Sequence, residues 1–318
     1  MEDMYLFERF KWKLLRTYKG KDICEAIGGG PDENQEGGFH RIVTNYEVKL
    51  ELPTREQAVE AIMSDLELVR GIGPATATRL KEEGIRDIVE LTDSQRWCSR
   101  SEHIVKMVDD EDLFSLQSLL QRCHSMSHPG CYLLSGFTRK EDLLFFDIET
   151  MGLRFRPLFL IGVGRFLGDG FRVEQFFARD TTEEKAVIRE FLDFLSETRV
   201  LVSFNGRAFD SRFIKERMDI YGLQGFHDLP HFDLLPMSRG RWPVPDHRLT
   251  TLEKWVLGQE REEDVSSSMV PHLYELYLRK NNPGPVIPII EHNKMDIVSM
   301  VSLLQRMGDQ EMGRGSGR

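Results

Sequence analysis

The chain has 318 residues, 40% hydrophobic and 30% charged, with a formal net charge of −10. That length suits two domains, or one domain with an elaborate appendage, and gives ample material for a core. The negative balance argues against a protein that coats nucleic acid non-specifically. No run is long and apolar enough to span a bilayer, and Met1-Glu2-Asp3-Met4 lacks the basic and apolar regions of a signal peptide. A cytoplasmic protein with no membrane partner is therefore expected. Cys24, Cys98, Cys123 and Cys131 show no CxxC spacing and read as reduced thiols. A four-cysteine iron–sulfur or zinc site is the alternative.

In chain order, residues 1–20 read as an amphipathic helix with Leu6, Phe10, Leu14 and Leu15 at helical spacing. Its basic residues Arg9, Lys11, Lys13 and Arg16, with Lys19 and Lys21, read as a solvated face. Arg239, Arg241 and Arg248 form a second basic stretch. Residues 28–38 are Gly-rich and acidic and read as a mobile loop. Phe39 to Leu52 is a candidate hairpin, which completes an N-terminal extension over 1–52.

Thr54 is a candidate N-cap for a helix reaching Val69, with Ala58, Ile62 and Leu66 on one face. Gly71-Ile72-Gly73-Pro74-Ala75-Thr76-Ala77 then gives a tight turn and a second helix through Leu80, closing at Gly84-Ile85. Gly71 and Gly73 let the backbone turn and expose N–H groups, and Pro74 suits a first helical turn. Free N–H groups at a helix start can receive a phosphate oxygen, and Arg70, Arg79 and Lys81 add charge nearby. This stretch resembles the helix-hairpin-helix motif, which holds nucleic-acid backbone without reading sequence. The nucleic-acid contacts so implied are Gly71, Gly73, Ala75 and Arg79. The alternative is a helical hairpin that only packs. Ile104, Val105 and Met107, then Leu113, Leu116, Leu119 and Leu120, extend a helical domain over 53–127.

From Cys131 the pattern changes to strands, with candidates at 131–137, 143–150, 157–166 and 171–178. Thr181 or Thr182 can cap a helix carrying Val187, Ile188, Phe191, Leu192 and Leu195. A strand at 199–204, a helix from about Phe209 and a short strand at Phe232 follow, then helices near 250–257, 271–280 and 289–307. That order suits a mixed α/β sheet over 128–310. Residues 311–318, ending Gly313 to Arg318, read as a disordered tail.

The chemistry lies in three acidic stretches. Leu143-Leu144-Phe145-Phe146-Asp147-Ile148-Glu149-Thr150 reads as a strand covered on both faces, with Asp147 and Glu149 on one side of it. Two such carboxylates repel each other and lose hydration, and a divalent cation relieves both costs. The alternative, an edge strand with an acidic wet face, sits badly with Phe145 and Phe146. Asp210 falls in the first turn of a helix, where it is either a helix-terminal charge or a third metal ligand. His292 and Asp296 share a helix face that continues into Met300, Leu303 and Leu304. A hydrogen-bonded pair without a ligand is the alternative there. Asp233 reads as the cap of the helix after it or as ordering the sheet edge, with support of the metal ligands from behind as the alternative.

Asp147-Ile148-Glu149, then Asn205 through Asp210, then His292 through Asp296, resemble in this order the three acidic motifs of the DEDD exonucleases. Phe-Phe-Asp-Ile-Glu-Thr, Ser-Phe-Asn-Gly-Arg-Ala-Phe-Asp, His-Phe-Asp-Leu-Leu and His-Asn-Lys-Met-Asp look most like the YprB-type ribonuclease H-like branch, over roughly 128–307. The resemblance implies an α/β fold: a ribonuclease H-like five-stranded mixed sheet with flanking helices and Asp147 central. A small all-α helix-hairpin-helix domain precedes it. It implies two divalent ions, Mg²⁺ or Mn²⁺, held by Asp147, Glu149, Asp210 and Asp296, with His292 as water activator. Asn205 and Arg207 join the nucleic-acid contacts. His292 stands four residues before Asp296, the spacing at which these exonucleases carry Tyr; those that use His place it five before. The activity expected is metal-dependent phosphodiester hydrolysis, read as a 3′–5′ exonuclease on DNA, with RNA as the second candidate. The competing readings are a nucleic-acid-binding scaffold that no longer cuts and a two-metal hydrolase of small nucleotides.

Overall fold

A computed structural model of the chain describes residues 2–153, 155–261 and 265–315. Seven strands make one sheet: β1 (Gly30–Asn34), β2 (Gly37–Tyr46), β3 (Leu143–Thr150), β4 (Leu158–Leu167), β5 (Gly170–Phe177), β6 (Val200–Ser203) and β7 (His231–Asp233). Their order is β1-β2-β5-β4-β3-β6-β7. β3 runs antiparallel to β4 and parallel to β6. β5 continues the antiparallel side and β7 the parallel side. These five strands have the ribonuclease H-like arrangement, with β3 central.

Alternation along β3 sends Leu143 and Phe145 into one hydrophobic cluster and Leu144, Phe146 and Ile148 into another. Asp147 and Glu149 have the parity of Leu143 and Phe145. That face lies under the last helix, Ile287–Gly315, whose Ile297, Met300, Val301 and Leu304 pack in the same cluster. The opposite face is covered by the helices Glu184–Ser196, Asp210–Tyr221 and Val270–Lys280.

The helical region packs against the same core. Helix Arg55–Met63 starts on a capping box: Gln57 N donates to Thr54 Oγ1 (3.3 Å) and Thr54 N to Gln57 Oε1 (2.8 Å). Helices Pro74–Glu82, Cys98–Asp109 and Leu113–Cys123 follow. Their Leu80, Ile104, Leu116 and Leu120 join Phe145, Phe232 and Leu304 in one cluster. Gln117 also closes the sheet edge. Its amide donates to His231 O (3.1 Å) and accepts from His231 N (2.9 Å), as a neighbouring strand would.

Five expectations change. Phe39 to Leu52 is not a hairpin in itself: 39–46 belongs to the single strand β2, whose hairpin partner is β1, and 47–52 carries no strand. The sheet has seven strands rather than five, because an N-terminal hairpin extends it: β1 and β2 pair antiparallel, and β2 pairs with β5 from His40↔Phe177 to Tyr46↔Phe171. Most of the segment read as a mobile loop, 28–38, is therefore strand. It has no alternating apolar pattern because β1 is a polar edge, where Pro31 is tolerated. Its order comes from its partner: a Cβ on Gly29 (φ +71°) would lie 2.1 Å from Arg41 O. Residues 131–137 are helical, not a strand, over Pro129–Leu133 and Leu134–Phe137. His128 caps that turn by accepting from Gly130 N (3.2 Å), and Pro129 takes the first helical position. The last helix runs to Gly315, into the segment read as a tail; residues 316–318 lie outside the described residues, as does the side chain of Leu6. No described helix is long and apolar enough to cross a membrane.

Candidate active site

Asp147 is held through a row that crosses three strands. It stands opposite Gly162 on β4, and Gly162 stands opposite Gln175 on β5. Asn293 of the last helix lies over this row, fully buried. Its Nδ2 donates to Asp147 O (3.1 Å) and Asp147 Oδ2 (2.9 Å). Its Oδ1 accepts from Gln175 Nε2 (2.8 Å), which also donates to Ile290 O (2.8 Å).

Asp210 opens its helix and accepts from Ile148 N (3.2 Å), one residue from Asp147. The turn that delivers it is tightly specified. Asn205 sits at φ +68°, a left-handed conformation that Asn tolerates. Asp233 accepts from Asn205 N (2.7 Å) and Arg207 N (3.1 Å), and Gly206 N donates to Ser203 Oγ (3.1 Å). Asp233 also caps the next helix by accepting from Leu235 N (3.3 Å). Ser203 Oγ is bonded to His231 Nε2 (2.7 Å), and burial pushes His231 down to about 3, so its ring is neutral.

Asp296 meets a cation. Arg261 Nη2 donates to Asp296 Oδ1 (2.5 Å), while its Nε and Nη2 also reach Glu253 (2.8 and 2.5 Å). Arg261 Nη1 lies 3.2 Å from His292 Nδ1. A guanidinium only donates, so His292 Nδ1 takes this bond with its lone pair. The proton of the neutral ring then sits on Nε2, 3.7 Å from Asp296 Oδ2.

These groups share one electrostatic environment. Burial, then the carboxylates of Asp296, Asp210 and Glu149, push Asp147 well above the usual carboxylate range. Burial pushes Asp210 up to about 7, against the N–H groups of its own backbone and of Ile148. Burial also raises Asp296, against the pull of His292 and Arg261. Glu149 is buried on the same strand as Asp147. The structure thus brings Asp147, Glu149, Asp210, His292 and Asp296 to one end of the sheet.

The other singled-out residues lie elsewhere. Asn205 and Arg207 are exposed on the turn before Asp210, and Arg207 Nη1 donates to Gln121 Oε1 (2.9 Å), tying that turn to the helical region. Gly71 takes φ +98°, Gly73 is the N-cap of helix Pro74–Glu82, and Ala75 and Arg79 are exposed on it. All four cysteines are free thiols. Among the described residues, one His/acid group has ligand atoms within 4.8 Å of one another: Asp65, His124 and His128. His124 Nε2 is bonded to Asp65 Oδ2 (2.7 Å), and the two imidazoles stack at 4.1 Å with planes 9° apart. Parallel rings direct their lone pairs side by side rather than to a common point, so this group acts as a clamp between helices.

Sequence reasoning passed over Asn293, Gln175, Gly162, Arg261 and Glu253. Asn293 carried a signal, since it sits between His292 and Asp296 at the start of a buried stripe. Gln175 carried a weaker one, an amide inside the apolar run Phe171 to Phe177. Arg261 carried none, because it stands in a polar stretch with no period.

Residues 144–308 match the family model RNase_H_2, of the RNase_H superfamily. Over 204 residues, 62% of this chain and 48% of the relative, the chain is 31% identical to the uncharacterized protein YprB of Bacillus subtilis (strain 168). It spans about half the length of that curated relative. Among solved structures, the family B DNA polymerase of the hyperthermophilic archaeon Pyrobaculum calidifontis is similar at a TM-score of 0.44 and 22% identity, over 52% of this chain and 24% of the polymerase.

Proposed function

The chain belongs to the RNase_H superfamily through a YprB-type ribonuclease H-like domain, and on that footing we propose that it is a two-metal-ion nuclease. It acts as a 3′–5′ exonuclease on DNA, with RNA as the second candidate. The observation that carries this reading is a single one: Asp147's charge is disfavoured by burial and by three other carboxylates, Asp296 and Asp210 from distant stretches of chain and Glu149 from its own strand. Gathering like charges in a buried site costs stability unless cations enter with them.

The donor chemistry fits such ions. Asp147 and Asp296 are each held through one oxygen, by Asn293 and by Arg261, and Asp210 by Ile148 N and its own backbone N–H. The second oxygens of Asp147 and Asp296 are candidate ligands, with Asp210 and Glu149 beside them. An all-oxygen, anionic set suits Mg²⁺ or Mn²⁺. Bound there, two such ions supply Lewis-acid polarisation of the phosphodiester, a water of lowered pKa and charge compensation at the leaving oxygen.

The chain's own part is positioning. Asn293 fixes the rotamer of Asp147, and Asp233 fixes the turn that delivers Asp210. Arg261 holds Asp296 and dictates the tautomer of His292, whose Nε2–H is then a donor for the attacking water or a phosphate oxygen. The Gly71–Gly73 turn supports a grip on duplex backbone beside the strand being cut, which favours DNA. Arg79 and Lys81 stand in the same helix.

An end-labelled oligonucleotide assay in Mg²⁺ and in Mn²⁺ tests this. It uses single-stranded, duplex and tailed DNA and RNA, with Asp147→Ala as control. A metal-dependent 3′–5′ ladder absent from the variant is the expected result. Binding without cleavage by the wild type would replace this reading with the scaffold.

A further inference from the structure

Between the N-terminal helix Glu2–Thr17 and the start of the last helix lies a cleft of about 480 Å³. Its walls are two helical stripes. Phe10, Leu14 and Thr17 line one, at i, i+4 and i+7; Pro288, His292 and Met295 line the other at the same spacing. The first wall is firmly anchored: Leu14 is buried, and Asn282 Nδ2 donates to Leu15 O (3.0 Å). The N-terminal helix lies outside residues 144–308, so this wall is an addition to the domain.

The cleft runs into the acidic centre. Arg261 and His292 line it, and both face Asp296, at 2.5 and 3.7 Å. Its surface is divided as a nucleotide is. Phe10, Tyr18 and Met295 offer an aromatic and thioether surface for a base, and stacking of this kind is sequence-tolerant because every base has a π-face. Lys13 at the rim is a cation, and Arg261 at the base is one that Glu253 and Asp296 already hold. The acid on the opposite wall, Glu291, is paired with Lys294 (2.6 Å). The volume is that of a small-ligand site, too narrow for a duplex.

We propose that this cleft is a subsite for one nucleotide of a single strand, its base against Phe10, Tyr18 and Met295 and its phosphate toward the rim, where Lys13 stands. The proposal rests on the nuclease reading for one thing, the placement of the neighbouring phosphodiester at the acidic centre. It makes the N-terminal helix part of substrate selection.

Thr17→Trp fills the mouth from an exposed position, and Lys13→Glu reverses the rim charge. Binding is read by fluorescence anisotropy in EDTA, with 5′-labelled short single strands of DNA and of RNA in the same sequence. Both variants, melting as the wild type does, are expected to bind one or both strands about tenfold more weakly. With 4-thiothymidine at the 3′ end, photocrosslinks are expected at Tyr18 or Met295. Wild-type affinity in Thr17→Trp, or crosslinks confined to other elements, would overturn the subsite. Neither readout needs cleavage. A wild-type protein that cuts nothing therefore counts against the nuclease reading alone, while the binding and crosslinking data still decide the cleft.

Discussion

Asn293 fills the space that Gly162 leaves: a Cβ at position 162 would come 2.2 Å from Asn293 Oδ1. Glycine inside a central strand weakens the strand, so its presence needs a compensating gain. The gain is a buried amide whose two ends are both used, one by Gln175 and one by Asp147. Gly162→Ala should push Asn293 off the row and release Asp147. The expected cost is about 1–3 kcal/mol of stability from overpacking, with cleavage falling roughly 10–100-fold as for loss of a residue that orients a metal ligand. Asn293→Ala should give a similar loss of cleavage. Wild-type turnover in both variants would show that Asp147 needs no holder.

That row explains how much of the molecule could be read from the sequence. The strand Leu143–Thr150, the helix start at Asp210 and the stripe from His292 to Leu304 all carry their own period, so five strands and the candidate acids were legible. Gly162 and Gln175 matter through register, which pairs residues far apart in sequence and leaves no local trace. The same reason hid β1: a polar edge strand is ordered by what it pairs with, not by its own pattern. Residues 131–137 show the converse error. Tyr132, Leu134 and Phe137 look like strand residues, but His128 and Pro129 supply a helix start that outweighs that preference.

The crowding of carboxylates should be visible as a stability penalty. Asp147 and Asp210 have folded-state values above their unfolded ones, Asp210 at about 7. A raised carboxyl contributes stability that is full below about pH 4 and is lost as pH rises through the folded value. Metal-free protein should therefore lose stability from Asp210 between about pH 4 and 7, with Asp147 adding a loss of the same sign as pH rises. Asp210→Asn, melted in EDTA, should gain on the wild type at pH 8 and show little difference at pH 4. Each kcal/mol relieved is worth about 2–4 °C in a chain of this size. The gain should shrink when Mg²⁺ is added to the wild type at pH 8. A variant no more stable than the wild type at pH 8 would mean that the acids do not repel.

His292 is expected to act as a hydrogen-bond donor rather than as a base. Its Nδ1 lone pair is committed to Arg261, and its Nε2 proton faces Asp296. Loss of one orienting donor should cost about tenfold or more in rate. The rate-versus-pH profile of His292→Ala should keep the wild-type shape at a lower level. Loss of the acid limb in the variant would restore His292 as the base that the DEDD resemblance suggests.

The Gly71 turn offers a prediction about grip rather than chemistry. Gly71 stands at φ +98°, and a Cβ there would meet Arg100 Nη1 at 3.2 Å, the group that holds Arg70 O (2.7 Å). Gly71→Val is thus strained by its backbone and by this neighbour, and should disorder the turn before helix Pro74–Glu82. Binding to tailed duplexes should weaken by a similar factor for every sequence, because backbone N–H groups read no bases. Arg79 is mostly exposed and reaches Glu83 only at 3.6 Å, an ion pair worth little and easily exchanged for a phosphate. Arg79→Ala should therefore reduce the slope of log K against log salt by about 0.9, one phosphate contact. A loss confined to particular sequences, or an unchanged salt slope, would leave this hairpin as packing alone.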